Sequence, residues 1–211
     1  MDQMTDITPL SPPSNARFVL ASASPRRLDL LAQIGLIPDA VDPADLDESP
    51  RRAELPRVYA ARMAEEKARA VASRHIGAFV LAADTVVACG RRILPKTETE
   101  AEAARCLDLL SGRRHKVLGG VTVIGPDAKT VSRVVETQVT FKRLSAEERA
   151  IYLGSGEWQG KAGGYAIQGL AAAYVSWVAG SYSNVVGLPL SETYKLLAGL
   201  GFRHAVPDNA G

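Results

Sequence analysis

Residues 18–35, FVLASASPRRLDLLAQIG, constrain the fold more tightly than any other stretch of the chain. The apolar run Phe18 to Ala21 reads as a buried strand. After Ser22-Ala23-Ser24 and Pro25, the residues Leu28, Leu30, Leu31 and Ile34 recur at helical spacing, and Gly35 closes the helix. Ser24 suits the N-cap, Pro25 the first helical position and Gly35 the residue past the end. A strand passing straight into a helix is the building unit of an α/β sheet. It also places Arg26 and Arg27 in the first helical turn, where the helix dipole disfavours cations. A polyanion bound by two arginines, two hydroxyls and free backbone N–H groups would resolve that conflict. Solvation of the arginines, or pairing with Asp29, is the plainer alternative. The segment is neither a Walker loop nor a Rossmann fingerprint.

The rest of the chain bounds what such a unit belongs to. Its 211 residues suffice for one domain with a substantial core, and 46% hydrophobic with 23% charged residues is a soluble globular composition. A formal charge of +2 argues against a protein that coats nucleic acid. Cys89 and Cys106 have no metal-ligand spacing and read as reduced packing residues. His75, His115 and His204 form no ligand set, so a hard cation on carboxylates and phosphates is the metal chemistry left open. Residues 1–15 are polar and proline-rich and read as a flexible tail, 16–205 as a single domain and 206–211 as a C-terminal tail. No secretory signal or membrane-length apolar run is evident, so the cytoplasm is the default compartment.

The pattern predicts a strand over 17–22, a helix over 25–34, an acidic loop over 38–54 and a helix over 56–75 with Glu65, Glu66 and Lys67 on or beside its polar face. A strand over 78–83 is expected to end at Asp84-Thr85, followed by a hairpin over 86–94 and a helix over 98–110. Two long antiparallel strands, 115–124 and 130–142, lead to a helix over 145–153 that opens with a Ser145/Glu148 capping box. A glycine-dense loop over 154–169, a strand over 172–178, a polar loop at 180–184 and a last helix over 189–200 complete the chain. The fold class is α/β: a mixed twisted sheet flanked by helices, with two lobes around a central cleft.

Several groups in this frame carry chemistry. Asp84, placed beyond a strand's carboxyl end, can orient a metal ion or activate water, or merely cap a turn. Glu48 is a metal ligand, a water-orienting base or a solvated charge. Lys67 and Lys96 read alone as surface cations. In GSGEWQGKAGGYAIQG the glycines permit close ligand approach; Trp158 or Tyr165 can stack on a base, Gln168 can read its edge, and Lys161 accompanies them. Ser181 to Asn184 either complete the site or turn the chain.

Taken in order, LASASPRR (20–27), AEEKA (64–68), AADTVV (82–87), LPK (94–96), SGRRHKV (111–117), GEWQGKAGGYAIQG (156–169) and GSYSNVVGLPLSET (180–193) resemble the Maf family of nucleoside triphosphate pyrophosphatases, over about residues 17–203. The resemblance implies a Maf/inosine triphosphatase-like fold, commonly dimeric, and cleavage between the α and β phosphates. It places Ser22, Arg26 and Arg27 on the phosphates, with Lys67 and Lys96 as further cationic contacts. Asp84 becomes the proton acceptor and Glu48 helps to hold metal or water, so that Glu48 and Asp84 share a divalent cation, Mg2+ or Mn2+. Thr85, Lys161 and Gln168 fall on the substrate, Gln168 in the base-recognition loop. The AGGYAIQG form is similar to the branch acting on dTTP and UTP. The implied partners are a nucleoside triphosphate and a second copy of the chain, with no membrane and no stable nucleic-acid partner. The alternatives are a purine or non-standard nucleotide house-cleaning pyrophosphatase and a non-catalytic nucleotide-binding regulator of cell division. The second of these predicts that Glu48, Lys67, Asp84 and Lys96 lie scattered.

Overall fold

The computed structural model describes residues 10–11 and 16–204. In chain order the elements are β1 (Leu10–Ser11), β2 (Phe18–Leu20), α1 (Pro25–Gln33), β3 (Ala40–Val41), α2 (Pro56–Ala72), β4 (Phe79–Cys89), β5 (Arg92–Leu94), α3 (Glu100–Leu110), β6 (Arg114–Ile124), β7 (Thr130–Phe141) and α4 (Ala146–Ser155). A 3-10 turn, Leu170–Tyr174, then precedes β8 (Val175–Ala179), α5 (Tyr182–Val186), α6 (Leu190–Gly199) and β9 (Arg203–His204). The flexible-tail expectations for 1–15 and 206–211 lie outside the described residues, except at Leu10–Ser11, which pair antiparallel with Arg203–His204.

Seven strands form one mixed sheet in the order β3-β2-β4-β6-β7-β8, with β5 added beside β4. The pairings of β2 with β3 and β4 are parallel; those of β4 with β5 and β6, and of β7 with β6 and β8, are antiparallel. The parallel part follows from the helices that return the chain between β2, β3 and β4, and the antiparallel part from hairpins. Thr99/Glu102 and Ser145/Glu148 both form complete capping boxes, at the starts of α3 and α4.

Strand β4 positions the site. It does not end at Asp84 but runs unbroken to Cys89. The apolar alternation of Val86 and Ala88 simply continues, and the long β6 pairs with it from Val80 to Ala88. Its other edge is interrupted: β2 covers Phe79 to Leu81 and β5 covers Val87 to Cys89. Asp84 and Thr85 occupy the gap. Here β4 also passes between cores. Leu81 and Ala83 pack with Leu30, Leu31, Leu188 and Leu197, whereas Val87 packs with Leu107, Phe141, Trp158 and Tyr165. The two lobes expected from sequence are these two cores, and the cleft opens where the strand's edge is bare.

Two glycines directly opposite this gap let helices close on it from both faces. Gly120 pairs with Asp84 and Gly119 with Thr85. A Cβ on Gly120 would stand 2.0 Å from the Ala60 carbonyl oxygen of α2, and one on Gly119 would stand 1.9 Å from Asn184 Oδ1 of α5. Gly120→Ala therefore has to push α2 off the sheet, and a backbone carbonyl cannot step aside alone. The expected cost is about 3 kcal/mol, a fall in Tm of about 6–12 °C for a chain of this length. Gly154→Ala, in α4 with nothing within 4 Å of the added carbon, should instead raise Tm slightly. Thermal melts of the two variants check the contrast.

Two further elements differ from the sequence reading. Residues 170–174 form a 3-10 turn, and the strand starts only at Val175, because Ala171 and Tyr174 are drawn into the core. The polar stretch at 180–184 becomes the start of α5, with the Ser181 hydroxyl accepting from Asn184 N.

Candidate active site

The start of α1 builds the first half of the site. Ser24 holds the N-cap position with extended backbone, but its side chain makes no capping bond; its own N–H instead donates to Ser22 Oγ at 3.3 Å. The first-turn N–H groups of α1 are thus left without a side-chain cap. Arg27, 9% exposed, is fully engaged: Nη1 donates to Ser22 Oγ at 2.6 Å, Nε to the Gly187 carbonyl at 3.0 Å and Nη2 to Thr85 Oγ1 at 3.4 Å. Thr85 donates to the same carbonyl at 3.3 Å. Gly187 presents that carbonyl from a backbone with φ of 150°, a conformation open mainly to glycine. Burial pulls the Arg27 guanidinium below its ordinary pKa, with Arg26 adding to the fall while Asp84 and Glu48 offset it. Arg26 is half-buried, its pKa is lowered by burial, and its Nε has no partner among the described residues. Arg27 is thus a fixed strut and Arg26 a free cation.

The second half is a chain of alternating charges. Lys96 Nζ meets Glu48 Oε2 at 2.5 Å, Glu48 Oε1 meets Lys67 Nζ at 2.6 Å, and Lys67 Nζ donates to Asp84 Oδ1 at 2.7 Å. Asp84 is 4% exposed and Lys67 7%. Asp84 Oδ2 has no hydrogen-bond partner among the described residues. Burial raises the Glu48 carboxyl, but its hydrogen bonds to Lys67 and Lys96 outweigh that and hold it at about 2. Lys67 does not lie on the polar face of α2. It shares the buried stripe of Ala60, Met63, Ala64, Ala68 and Val71, the face set against the sheet.

The glycine-dense segment forms the far wall. It is stitched to the segment after β5 by bridges Lys96–Ala162 and Thr97–Gln159, and Thr97 Oγ1 donates to the Trp158 carbonyl at 2.6 Å. The expectation that Trp158 or Tyr165 stacks on a base does not hold. Both rings are buried in the second core: Trp158 Nε1 donates to the Leu153 carbonyl, and the Tyr165 hydroxyl bonds His115 Nε2 at 2.8 Å. Burial pulls His115 down to about 4, so it is neutral there. The aromatics anchor the loop, leaving Gln168 and Lys161 to face the opening. Burial and then the proximity of Arg26 lower the Lys161 pKa.

Ser22, Arg26, Arg27, Glu48, Lys67, Asp84, Thr85, Lys96, Lys161 and Gln168 all line one cavity of about 600 Å³. Five cations face two carboxylates there, so the cavity is cationic and suited to a polyphosphate. Asn184 is not among its lining residues. Its Nδ2 donates to the Val117 and Val135 carbonyls and to Thr137 Oγ1, which makes it a buried brace between α5 and the sheet. The sequence reading missed the Gly187 carbonyl, and also Tyr59 and Arg62, which hold the Glu48 loop. Helical spacing on α2 is the signal for the last two.

Six of the seven separated motifs thus converge on one cleft; SGRRHKV (111–117) stands apart from its lining, with His115 buried against Tyr165. A family model described as Maf-like protein matches residues 17–200 of the chain. The chain belongs to the Maf family. The dTTP/UTP pyrophosphatase of Paramagnetospirillum magneticum is 67% identical over 187 residues, 89% of this chain and 98% of its own length. That of Rhodospirillum rubrum is 64% identical over 190 residues, 90% of each chain. Among solved structures, a HAM1 protein from Coxiella burnetii aligns over 88% of this chain and 100% of its own at 15% identity, with a TM-score of 0.48. This Maf protein has no helix, among the described residues, long and apolar enough to cross a membrane.

Proposed function

We propose that the chain hydrolyses dTTP and UTP to the nucleoside monophosphate and pyrophosphate. The observation that carries this reading is the joining, in one cavity, of the helix-start arginines to the Lys96–Glu48–Lys67–Asp84 chain. The relatives named dTTP/UTP pyrophosphatase supply the substrate class. The convergence of Glu48, Lys67, Asp84 and Lys96 counts against a regulator that does not turn over its ligand.

Arg26, Lys96 and Lys161, with the first-turn N–H groups of α1, bind the triphosphate, while Arg27 holds Ser22 and Thr85 against it. Asp84 aligns a water through Oδ2 and takes its proton as the water oxygen attacks the α phosphorus. The bond between the α phosphorus and the bridging oxygen breaks, and pyrophosphate leaves against the cations, which offset the charge that develops on it. Ser22 is a ligand rather than the nucleophile, since its Oγ accepts from the Arg27 cation and the Ser24 N–H, and among the described residues it has no base as a partner.

The oxygen donors of Glu48 and Asp84 suit a hard divalent cation, Mg2+ or Mn2+. No group of three or more His, Cys, Asp or Glu that could hold a metal exists among the described residues, so substrate phosphates and water would complete its shell. When bound, it would neutralise phosphate charge. A homodimer, on the strength of the family resemblance, in the cytoplasm, the default compartment of the sequence analysis, completes the reading.

A panel of triphosphates with product analysis tests the proposal: dTTP and UTP should be the preferred substrates and should yield pyrophosphate. Release of single phosphates, or preference for purines, would refute it. In the same panel Gln168→Ala should change kcat/KM among bases by about tenfold, the worth of one or two hydrogen bonds to a base edge. An unchanged ranking would remove Gln168 from base recognition.

A further inference from the structure

Arg26, Arg27, Lys67, Asp84 and Thr85 are fixed by the helix or strand that carries them. Glu48 is different. It lies on the stretch between β3 and α2, which has no regular secondary structure around it. Among the described residues its carboxylate touches only Lys67 and Lys96, two cations that a bound polyphosphate would itself attract. Once substrate competes for those lysines, the carboxylate needs another restraint.

Helix α2 supplies one through the backbone. Tyr59, buried against the sheet, donates its hydroxyl to the Glu48 carbonyl at 2.6 Å. One turn later, Arg62 donates to the Ser49 carbonyl at 3.3 Å and grips both oxygens of Glu54, Nε to Oε1 and Nη2 to Oε2, each at 2.7 Å. Glu54 in turn accepts from Arg51 N at 2.9 Å. Between them Ala53 holds φ of 57°, a left-handed conformation that a non-glycine residue keeps only where its surroundings enforce it. The Arg62 guanidinium lies 5.4 Å from the Tyr59 ring centroid, so the two holds brace each other. Burial, with Asp84 and Glu48 nearby, pushes the Tyr59 phenol up, keeping it a donor. Arg62 holds the Glu54 carboxyl at about 2, keeping it ionised. The same helix carries Lys67.

We propose that Tyr59 and Arg62 are positioning residues that fix the backbone of the Glu48 loop, so that the Glu48 carboxylate keeps its place beside Asp84 when substrate draws on Lys67 and Lys96. This rests on the reading above that Glu48 belongs to the catalytic machinery.

Tyr59→Phe removes only the hydroxyl. With dTTP and Mg2+ its kcat should fall about tenfold with KM changed less than about twofold, the loss of a single well-made hydrogen bond read in the reacting complex. Amide hydrogen exchange at Ser49, Arg51 and Glu54, whose N–H groups are hydrogen-bonded within the loop, should rise about tenfold, with the amides of α2 and β4 unchanged. Arg62→Lys, which cannot grip both Glu54 oxygens, should loosen the same amides. Wild-type kcat in Tyr59→Phe would overturn the proposal. So would a lower kcat with wild-type exchange at these three amides, since Tyr59 would then act on substrate directly, and so would exchange raised throughout α2 and β4, which marks general loosening. Glu48→Gln separates the underlying reading: it should lose activity while the same three amides keep their protection. Full activity in Glu48→Gln would overturn the role of Glu48 itself; loss there with wild-type kcat in Tyr59→Phe would overturn the positioning role alone.

Discussion

Asp84→Asn should lower kcat by about a thousandfold, the scale on which a positioned general base acts, in a protein that still folds. The substitution is nearly isosteric. The amide that replaces the carboxylate keeps an oxygen for the Lys67 ammonium, so the 2.7 Å bond survives as an ion–dipole contact. Breaking a buried ion pair is usually costly because it strands the surviving charge. Lys67 is not stranded, since Glu48 Oε1 lies 2.6 Å away. The stability loss should therefore be about 1–2 kcal/mol, the range of one charge-assisted hydrogen bond. What the variant lacks is the basic Oδ2, unpartnered in the cleft. Triphosphate affinity should stay the same or rise, because one of two carboxylates has left a cavity that binds a polyanion. Kinetics, a thermal melt and a binding titration with a non-hydrolysable triphosphate check the three parts separately. Normal turnover by the folded variant would end the assignment.

The parts of this cleft that are legible in the sequence share a physical reason. Ser22, Arg26 and Arg27 follow from one local transition, strand to helix, whose cations stand on the wrong side of the dipole. The Ser145/Glu148 box and the β4–β5 hairpin are equally local. The charge of Lys67 suggests the polar face of α2, although its spacing from Ala60, Met63, Ala64 and Val71 puts it on the buried stripe. Spacing wins in the fold because two carboxylates wait on the buried side. Asp84 reads as the residue past a strand end because its carboxylate interrupts an apolar run. The strand continues because β6 supplies a partner for every residue from Val80 to Ala88, a long-range fact with no local trace. The aromatics of the glycine-dense loop read as a stacking surface. Trp158 and Tyr165 are instead its anchors, since a loop bearing six glycines over 154–169 needs buried side chains to hold any one shape. Composition marks the segment as unusual; only packing decides which of its side chains face the cavity.

Lys67→Met should lower kcat by about a hundredfold to a thousandfold, the usual scale for losing one preorganised charge aimed at a phosphoryl transfer. It should also move the acid limb of the pH profile upward. Met fits the apolar stripe of α2 and keeps most of the side-chain volume, so the helix has no reason to shift. The carboxylates feel the change. Glu48 and Asp84 both touch the Lys67 nitrogen; without it, two anions face each other across the gap, with Lys96 remaining on the Glu48 side. In the native protein, burial works to raise Glu48, but Lys67 and Lys96 hold it at about 2. A carboxyl held low in the fold contributes stability that is in place above its ordinary value near 4.5 and is lost as the pH falls towards 2. Removing one of the two cations raises that pKa, so Glu48 takes up a proton at a higher pH and its contribution fades sooner on acidification. The variant's activity and its Tm should both begin to fall at a pH about one unit or more above that of the native enzyme. The combination is diagnostic. A cation that only held phosphate would lower the rate and raise KM at every pH alike, whereas one that also keeps Glu48 ionised must change the profile's shape.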